Sequence, residues 1–283
     1  MHRFSRRLAI HRTVRRTLVA AWCSAAAATA LGAQRQSRGV RLADLTWVEA
    51  ERLLDSSTVV VIPLGAGAKE HGPHLRLKTD DVEATFYADR VLAASHVVLA
   101  PAINYSFYPS FVEYPGSTTL RFDTARDMVI DICRSLARYG VRRFYILNTG
   151  VSTVRILGPA RDSLATTGIV MRFTNGGRHA DSVEKAIARQ PGGTHADEIE
   201  TSMLLYMAPH LVDMARAQRD YHPGAGGLTR DSLVAVRDGK VFSRTGIFGD
   251  ATLATREKGR RYVEAHVRDV IEDIDALRHL PIP

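Results

Sequence analysis

Short, wholly apolar runs alternate along this chain with stretches of helical periodicity, and few folds accommodate that alternation. Thr46-x-x-Glu49 has the spacing of a capping box and opens a helix through Leu54. Val59-Val60-Val61-Ile62 follows, an unbroken β-branched run of the kind a strand covered on both faces requires. The pattern then predicts a helix from about Asp80 to Ala94, a strand over His96–Ala100, and a helix capped by Asp123 that stops at Gly140. Phe144–Leu147 and Ile169–Phe173 read as further buried strands, with a helix following the first. Helices are expected from about Ala196 to Met207 and from about Ala254 to Leu280. Strand–helix alternation of this kind makes a mainly parallel sheet with helices on both faces, an α/β fold. Ligands in such folds collect beyond the carboxyl ends of the strands. The segments after Ile62, Ala100, Leu147 and Phe173 are therefore where function is sought.

Charge separates the N-terminus from the rest. Six of the 38 basic residues (Arg3, Arg6, Arg7, Arg12, Arg15 and Arg16) lie in the first 33 positions, which hold no acid, so the remainder carries 32 against 30. The basic excess belongs to that segment, and a nucleic-acid-binding body is not supported. An alanine-rich apolar run, Thr17–Leu31, and the small residues Gly32 and Ala33 complete the layout of an export signal over 1–33. The run is too short and too rich in alanine for a membrane anchor, so no stable span is expected once the signal is removed. The pairs Arg6-Arg7 and Arg15-Arg16 suggest the twin-arginine route, and the expected location is periplasmic or extracellular. Residues 34–283 are enough for a single large domain. Cys23 would leave with the signal, and Cys133, among Met128, Val129, Ile132 and Leu136 at helical spacing, reads as a small core residue.

Two segments carry chemistry. Between Pro63 and Asp81 lie Glu70, His71, His74, Asp80 and Asp81, held by Gly65, Gly67, Gly72 and Pro73. Imidazoles and carboxylates packed this closely are costly unless paired or ligating. The set suits zinc, iron or manganese, and a solvated loop with ordinary charge pairs is the alternative. His74 is read as a loop-packing residue, with a metal ligand the alternative. Gly192–Val212 adds His195, Asp197, Glu198 and Glu200. On one continuous helix His195 and Glu200 would lie far apart, so they converge only if His195 belongs to the loop before the first turn. The acids at that helix start are otherwise accounted for by the helix dipole. Arg76 and Lys78 suggest an anionic substrate, with ordinary solvated loop residues the alternative. A serine-hydrolase elbow, a P-loop and a dinucleotide fingerprint are all missing from the sequence.

In combination these segments resemble the creatininase family of metal-dependent amidohydrolases. His71-Gly72-Pro73-His74-Leu75 with Thr79-Asp80 is similar to that family's HGPHLPxxTD stretch, and His195-Ala196 with Glu200-Thr201-Ser202 to its HAxxxETS stretch. Tyr114-Pro115-Gly116-Ser117-Thr118 resembles its central F-P-G-T segment, and Gly246 to Gly259 its C-terminal GxxGDPxxAT…KG pattern. Four motifs in order are far more specific than one. The resemblance implies a three-layer α/β/α sandwich, often hexameric, that hydrolyses a C–N bond in cyclic or linear amides through water activated by one or two divalent metal ions. His71, Asp80 and Glu200 would then be metal ligands, with Glu70 a substitute ligand if its loop bulges. His195 and Glu198 would handle protons, and Tyr114, Ser152 and Asp250 would contact a small amide substrate. Two positions depart from the family: Lys69 stands where a metal-binding glutamate is usual, and Gly150 where a histidine is. These changes point to a reduced or rearranged metal site. A further reading has the Lys69 charge neutralising Asp80 in place of an ion. The competing function is a non-catalytic small-molecule-binding protein on a degenerate form of the same fold.

Overall fold

Strand β2, formed by the apolar run at Val59–Leu64, is buried along its whole length because both faces of the sheet around it are covered. The computed structural model describes residues 38–112, 114–221, 236–237, 240–241 and 245–282; the proposed export signal lies outside them. In chain order the main elements are β1 (Val40–Arg41), α1 (Trp47–Leu53), β2, α2 (Thr79–Ala94), β3 (Val98–Leu99) and α3 (Phe122–Ala137). They continue with β4 (Arg143–Asn148), α4 (Val154–Ala165), β5 (Val170–Phe173), α5 (Arg178–Ile187), α6 (Glu198–Met207) and α7 (Arg256–Arg278). Short antiparallel pairs join β6 (Arg219–Asp220) to β9 (Gly249–Asp250) and β7 (Val236–Arg237) to β8 (Lys240–Val241).

The five-stranded sheet has the order β1-β3-β2-β4-β5, and every pairing in it is parallel. Period-two alternation along β2 divides its side chains between two cores. Val59 and Val61 join Leu99, Tyr145 and Leu147 under α2, α6 and α7. Val60, Ile62 and Leu64 join Phe144 and Ile146 under α3 and α4. The result is the α/β/α sandwich. Each fully buried Val, Leu or Ile side chain contributes about 1.5–3 kcal/mol, and the doubly covered strands concentrate that gain at the centre of the sheet.

Local signals act as the sequence indicates at several points. Thr46 accepts from the Glu49 N–H while its own N–H donates to the Glu49 carboxylate, 2.8 Å away, completing the capping box of α1. Cys133 is fully buried, and burial pushes its thiol up to about 12, which removes it as a nucleophile. Asp123 is a correction: Arg121 occupies the cap position of α3, and Asp123 instead pairs with Arg126 one turn on, at 2.9 Å. Helix α5 was not anticipated, because its Arg178–Ile187 sequence is mostly polar and buries only Ala180 and Ile187.

The chain leaves β2, visits β3 on one side and returns to β4 on the other, so successive loops diverge at the β2–β4 boundary. That divergence opens a crevice at the carboxyl ends of the strands.

Candidate active site

A cavity of about 430 Å³ occupies the crevice. Its walls come from all four segments singled out above: Lys69 and Asp80 after β2, Ser110 and Phe111 after β3, Asn148 to Ser152 after β4, and Thr174 to Gly176 after β5. Helices α2, α5, α6 and α7 close the remaining sides. The size suits a small molecule.

The loop between β2 and α2 is folded tightly against its surroundings. Gly65 permits this, since a methyl group there would collide with the Asp80 carbonyl. The Asp81 N–H returns to the Ala66 carbonyl and the Lys69 N–H to the Leu77 carbonyl. Asp80 thereby sits in the first turn of α2, where the helix dipole favours its charge. Gly72, at φ +68°, makes the reversal between His71 and His74, both of which are buried. His74 Nε2 lies 2.8 Å from the Thr201 hydroxyl, and burial lowers its pKa to about 4, consistent with a packing residue.

His71 is fully buried. Its Nδ1 donates to the Lys69 carbonyl at 2.8 Å, which aims Nε2 at Asp80 Oδ1, 2.9 Å away, and at Glu200 Oε1, 3.6 Å away. His195 precedes α6 in an extended bridge to Phe248, as convergence with Glu200 demands. Ala196, at φ +49°, redirects the chain between that bridge and the helix. Asp197 then caps α6 by accepting from the Ile199 and Glu200 N–H groups. This brings His195 Nδ1 to 3.7 Å from Glu200 Oε2, while its Nε2 donates to the Glu70 carbonyl and lies 3.1 Å from the Glu70 carboxylate. Phe111 stacks on the His195 ring at a 4.1 Å centroid distance.

Lys69 lies inside this cluster, its ammonium 2.7 Å from Asp80 Oδ2. Burial opposes its charge, yet Asp80 and Glu200 raise its pKa above the ordinary value. Burial likewise works against the Asp80 carboxylate, and Lys69 and His71 overcome it, holding the group well below its usual range. Glu200 is lowered against burial by His71, His195 and Lys69. Burial disfavours the His195 cation, but the Glu70 hydrogen bond and Glu200 raise its proton affinity. Lys69 and Asp80 thus form a direct, buried ion pair.

Four expected site residues are placed differently. Glu70 does not bulge toward Asp80; its carboxylate engages His195 and the Gly72 N–H, outside either metal-competent group at the cavity. Glu198 is fully buried, paired with Lys258 and bonded to the Arg189 and Gln190 N–H groups, so it has no face toward the cavity. Asp250 caps a short 3-10 turn by accepting from the Thr252 N–H. Tyr114 packs behind Phe111, which itself lines the cavity. Ser152 does line it, with its hydroxyl donating to the Phe107 carbonyl. At Gly150 the backbone is bracketed by the Asn148 side-chain amide, and Thr153 closes the turn. Arg76 and Lys78 are exposed and turned away from the cavity, which removes the argument for an anionic substrate.

Glu83, absent from the expectations, is 96% buried and stands one turn beyond Asp80 on α2. The Asp80-x-x-Glu83 spacing was the available signal, since residues three apart share a helix face. Burial, then Glu200 and Asp80, push its carboxyl well above the usual range.

The donor set fits a metal ion. With Nδ1 of His71 committed to a carbonyl, Nε2 presents its lone pair to two carboxylates, an arrangement that only a shared cation or proton makes favourable. Among the described residues, His71, His195 and Glu200 can each direct one ligand atom to a common position, and Asp80, Glu83 and Glu200 form a second group sharing Glu200.

Comparison with known proteins agrees with the geometry. The family profile for creatininase, described as creatinine amidohydrolase, matches residues 43–274. The creatinine amidohydrolase of Pseudomonas putida is 29% identical over 257 residues, 84% of this chain and 97% of the relative. The mycofactocin precursor peptide peptidase of Mycobacterium tuberculosis is 30% identical over 247 residues, 83% of this chain and 90% of the relative. Among solved structures, a mutant creatininase of Zn-Zn type superposes with a TM-score of 0.69 at 25% identity, covering 85% of this chain and 98% of that one. A structure titled "Creatininase Mn" gives 0.68 at 25% identity, covering 86% and 100%.

Proposed function

The chain belongs to the creatininase family, and on that premise we propose that it is a metal-dependent hydrolase cleaving a C–N bond in a cyclic or linear amide with one divalent ion per chain. The convergence of His71, buried behind the wall, on Asp80 and Glu200, which line the cavity, carries this reading. His71 and Glu200 would hold the ion, together with the Asp80 oxygen not engaged by Lys69. Zinc and manganese both suit a mixed imidazole–carboxylate set. When bound, the ion supplies Lewis acidity to the amide carbonyl and lowers the pKa of water.

The chain's own residues do the rest. Lys69 offsets one carboxylate charge that a second ion balances in two-metal sites, so a single ion leaves the cluster near neutrality. Glu70 keeps a proton on His195 Nε2 and orients the ring, and Phe111 shields its face from water. His195 is thereby the group fitted to hold a proton beside the leaving nitrogen. We also place the protein outside the cytoplasm, on the strength of the 1–33 leader alone.

Elemental analysis of protein purified without chelator tests the reading. The expected content is about one equivalent per chain, lost in His71→Ala and Glu200→Gln, with amide hydrolysis lost alongside. Less than about a tenth of an equivalent after reconstitution with zinc, manganese and iron would refute it.

A further inference from the structure

The cavity continues past the metal-competent cluster to residues of α5 and α7, and the acids Asp181 and Glu184 at that end have no ion-paired base among the described residues. The two lie three residues apart on α5 and line the wall. Glu83 reaches the same space from α2, and its Oε1 has no hydrogen-bond partner there although the residue is 4% exposed. The Tyr87 hydroxyl, on a residue 2% exposed, is unpartnered as well. The nearby basic groups are committed elsewhere: Lys69 to Asp80, Lys258 to Glu198. Burial lowers the proton affinity of His266 against the pull of Asp269 and Asp181.

Aromatic rings line the same end. Tyr262 stacks on His266 at 6.1 Å with their planes 9° apart, and Tyr87 meets His266 edge-on at 4.8 Å. Tyr262 lies within electrostatic reach of Glu184, Glu83 and Asp181. Ring faces beside unpaired carboxylates are the combination that holds an organic cation. A metal ion fits this end less well: Glu83 closes on a common point only with Asp80 and Glu200 of the cluster, and neither Asp181 nor Glu184 belongs to any such group among the described residues.

We propose that this end of the cavity is a cation subsite, in which Glu83, Asp181 and Glu184 with Tyr87, Tyr262 and His266 receive a protonated amine or guanidinium carried by the amide substrate. The inference rests on the hydrolase reading for the amide and names the substrate class within it. The half-buried Glu184 and the exposed Asp181 line a concave wall and direct their field into the cavity, so the cationic group would both orient the substrate and speed its capture.

Calorimetric titration of the full-length protein with three probes differing only in side-chain charge tests this: N-acetyl-lysinamide, N-acetyl-norleucinamide and N-acetyl-glutamate amide. The lysine probe is expected to bind about tenfold more tightly than the norleucine probe, with the glutamate probe weakest. In Asp181→Asn/Glu184→Gln that preference should fall below about threefold, with metal content unchanged. Equal affinity for the lysine and norleucine probes overturns the proposal, as does a preference that survives the double variant intact. Loss of bound metal in that variant also overturns it, by making the two acids metal ligands. A lysine preference in protein that takes up no metal supports the subsite and refutes only the hydrolase reading.

Discussion

Replacing Lys69 with methionine removes the cation that Asp80 faces and leaves the packing volume nearly unchanged. The two groups are 2.7 Å apart, with side-chain exposures of 8% and 1%. At an effective dielectric of about 20, that separation corresponds to about 6 kcal/mol of gross attraction. Desolvation offsets most of it, so deleting both charges together costs little, whereas deleting one strands the other. Lys69→Met should therefore lose about 3–5 kcal/mol of stability, and Lys69→Met/Asp80→Asn distinctly less than Lys69→Met alone. The assay is urea unfolding of all three variants and the parent in chelator, because a bound ion would replace the missing charge. Adding zinc or manganese to Lys69→Met should then recover much of the loss, as the ion takes over the neutralisation of Asp80. A loss below about 1 kcal/mol in chelator, or strict additivity in the double variant, would refute the view that Lys69 balances Asp80.

Three other outcomes follow from the same geometry. Lys69→Glu restores the residue type usual in the family and should raise metal content by about one equivalent; no gain in elemental analysis counts against a lysine standing in for an ion. Lys258→Met strands the fully buried Glu198 and should cost about 3–5 kcal/mol in thermal or urea unfolding while metal content stays constant. Burial lowers His74 to about 4 in the folded chain, against about 6.5 when unfolded. The unfolded state therefore takes the proton first on acidification. The stability is at its full value above about pH 6.5 and is lost as the pH falls toward about 4, by about 3 kcal/mol. His74→Gln should flatten the measured stability–pH curve across that window, and an unchanged slope would remove His74 as its cause.

Much of the architecture was legible because it depends on local composition. Val59–Ile62 is apolar at every position, which only a doubly covered strand tolerates, and Thr46-x-x-Glu49 supplies its own helix start. Four motifs in order identify the family, and parallel topology places the cavity at the strand ends. Side-chain partners were not legible in the same way. Glu70, His71, Asp80, His195, Glu198 and Glu200 are all acids or imidazoles in motif segments, and nothing local separates those that meet at the cavity from those that do not.

That separation came from contacts between distant segments. Glu198 was withdrawn by Lys258, sixty positions away, and Glu70 by His195. The φ of +49° at Ala196 decided that His195 and Glu200 converge at all. The polar helix α5 escaped notice because its value lies in what it presents to the cavity rather than in a buried stripe of its own. The sequence by itself determined the layering, the family and the neighbourhood of the site, since hydrophobic period and motif order are properties of neighbouring residues. Only the tertiary structure decided which charges are balanced and which stay open to a ligand, since that depends on distances of a few ångströms between groups the chain holds far apart.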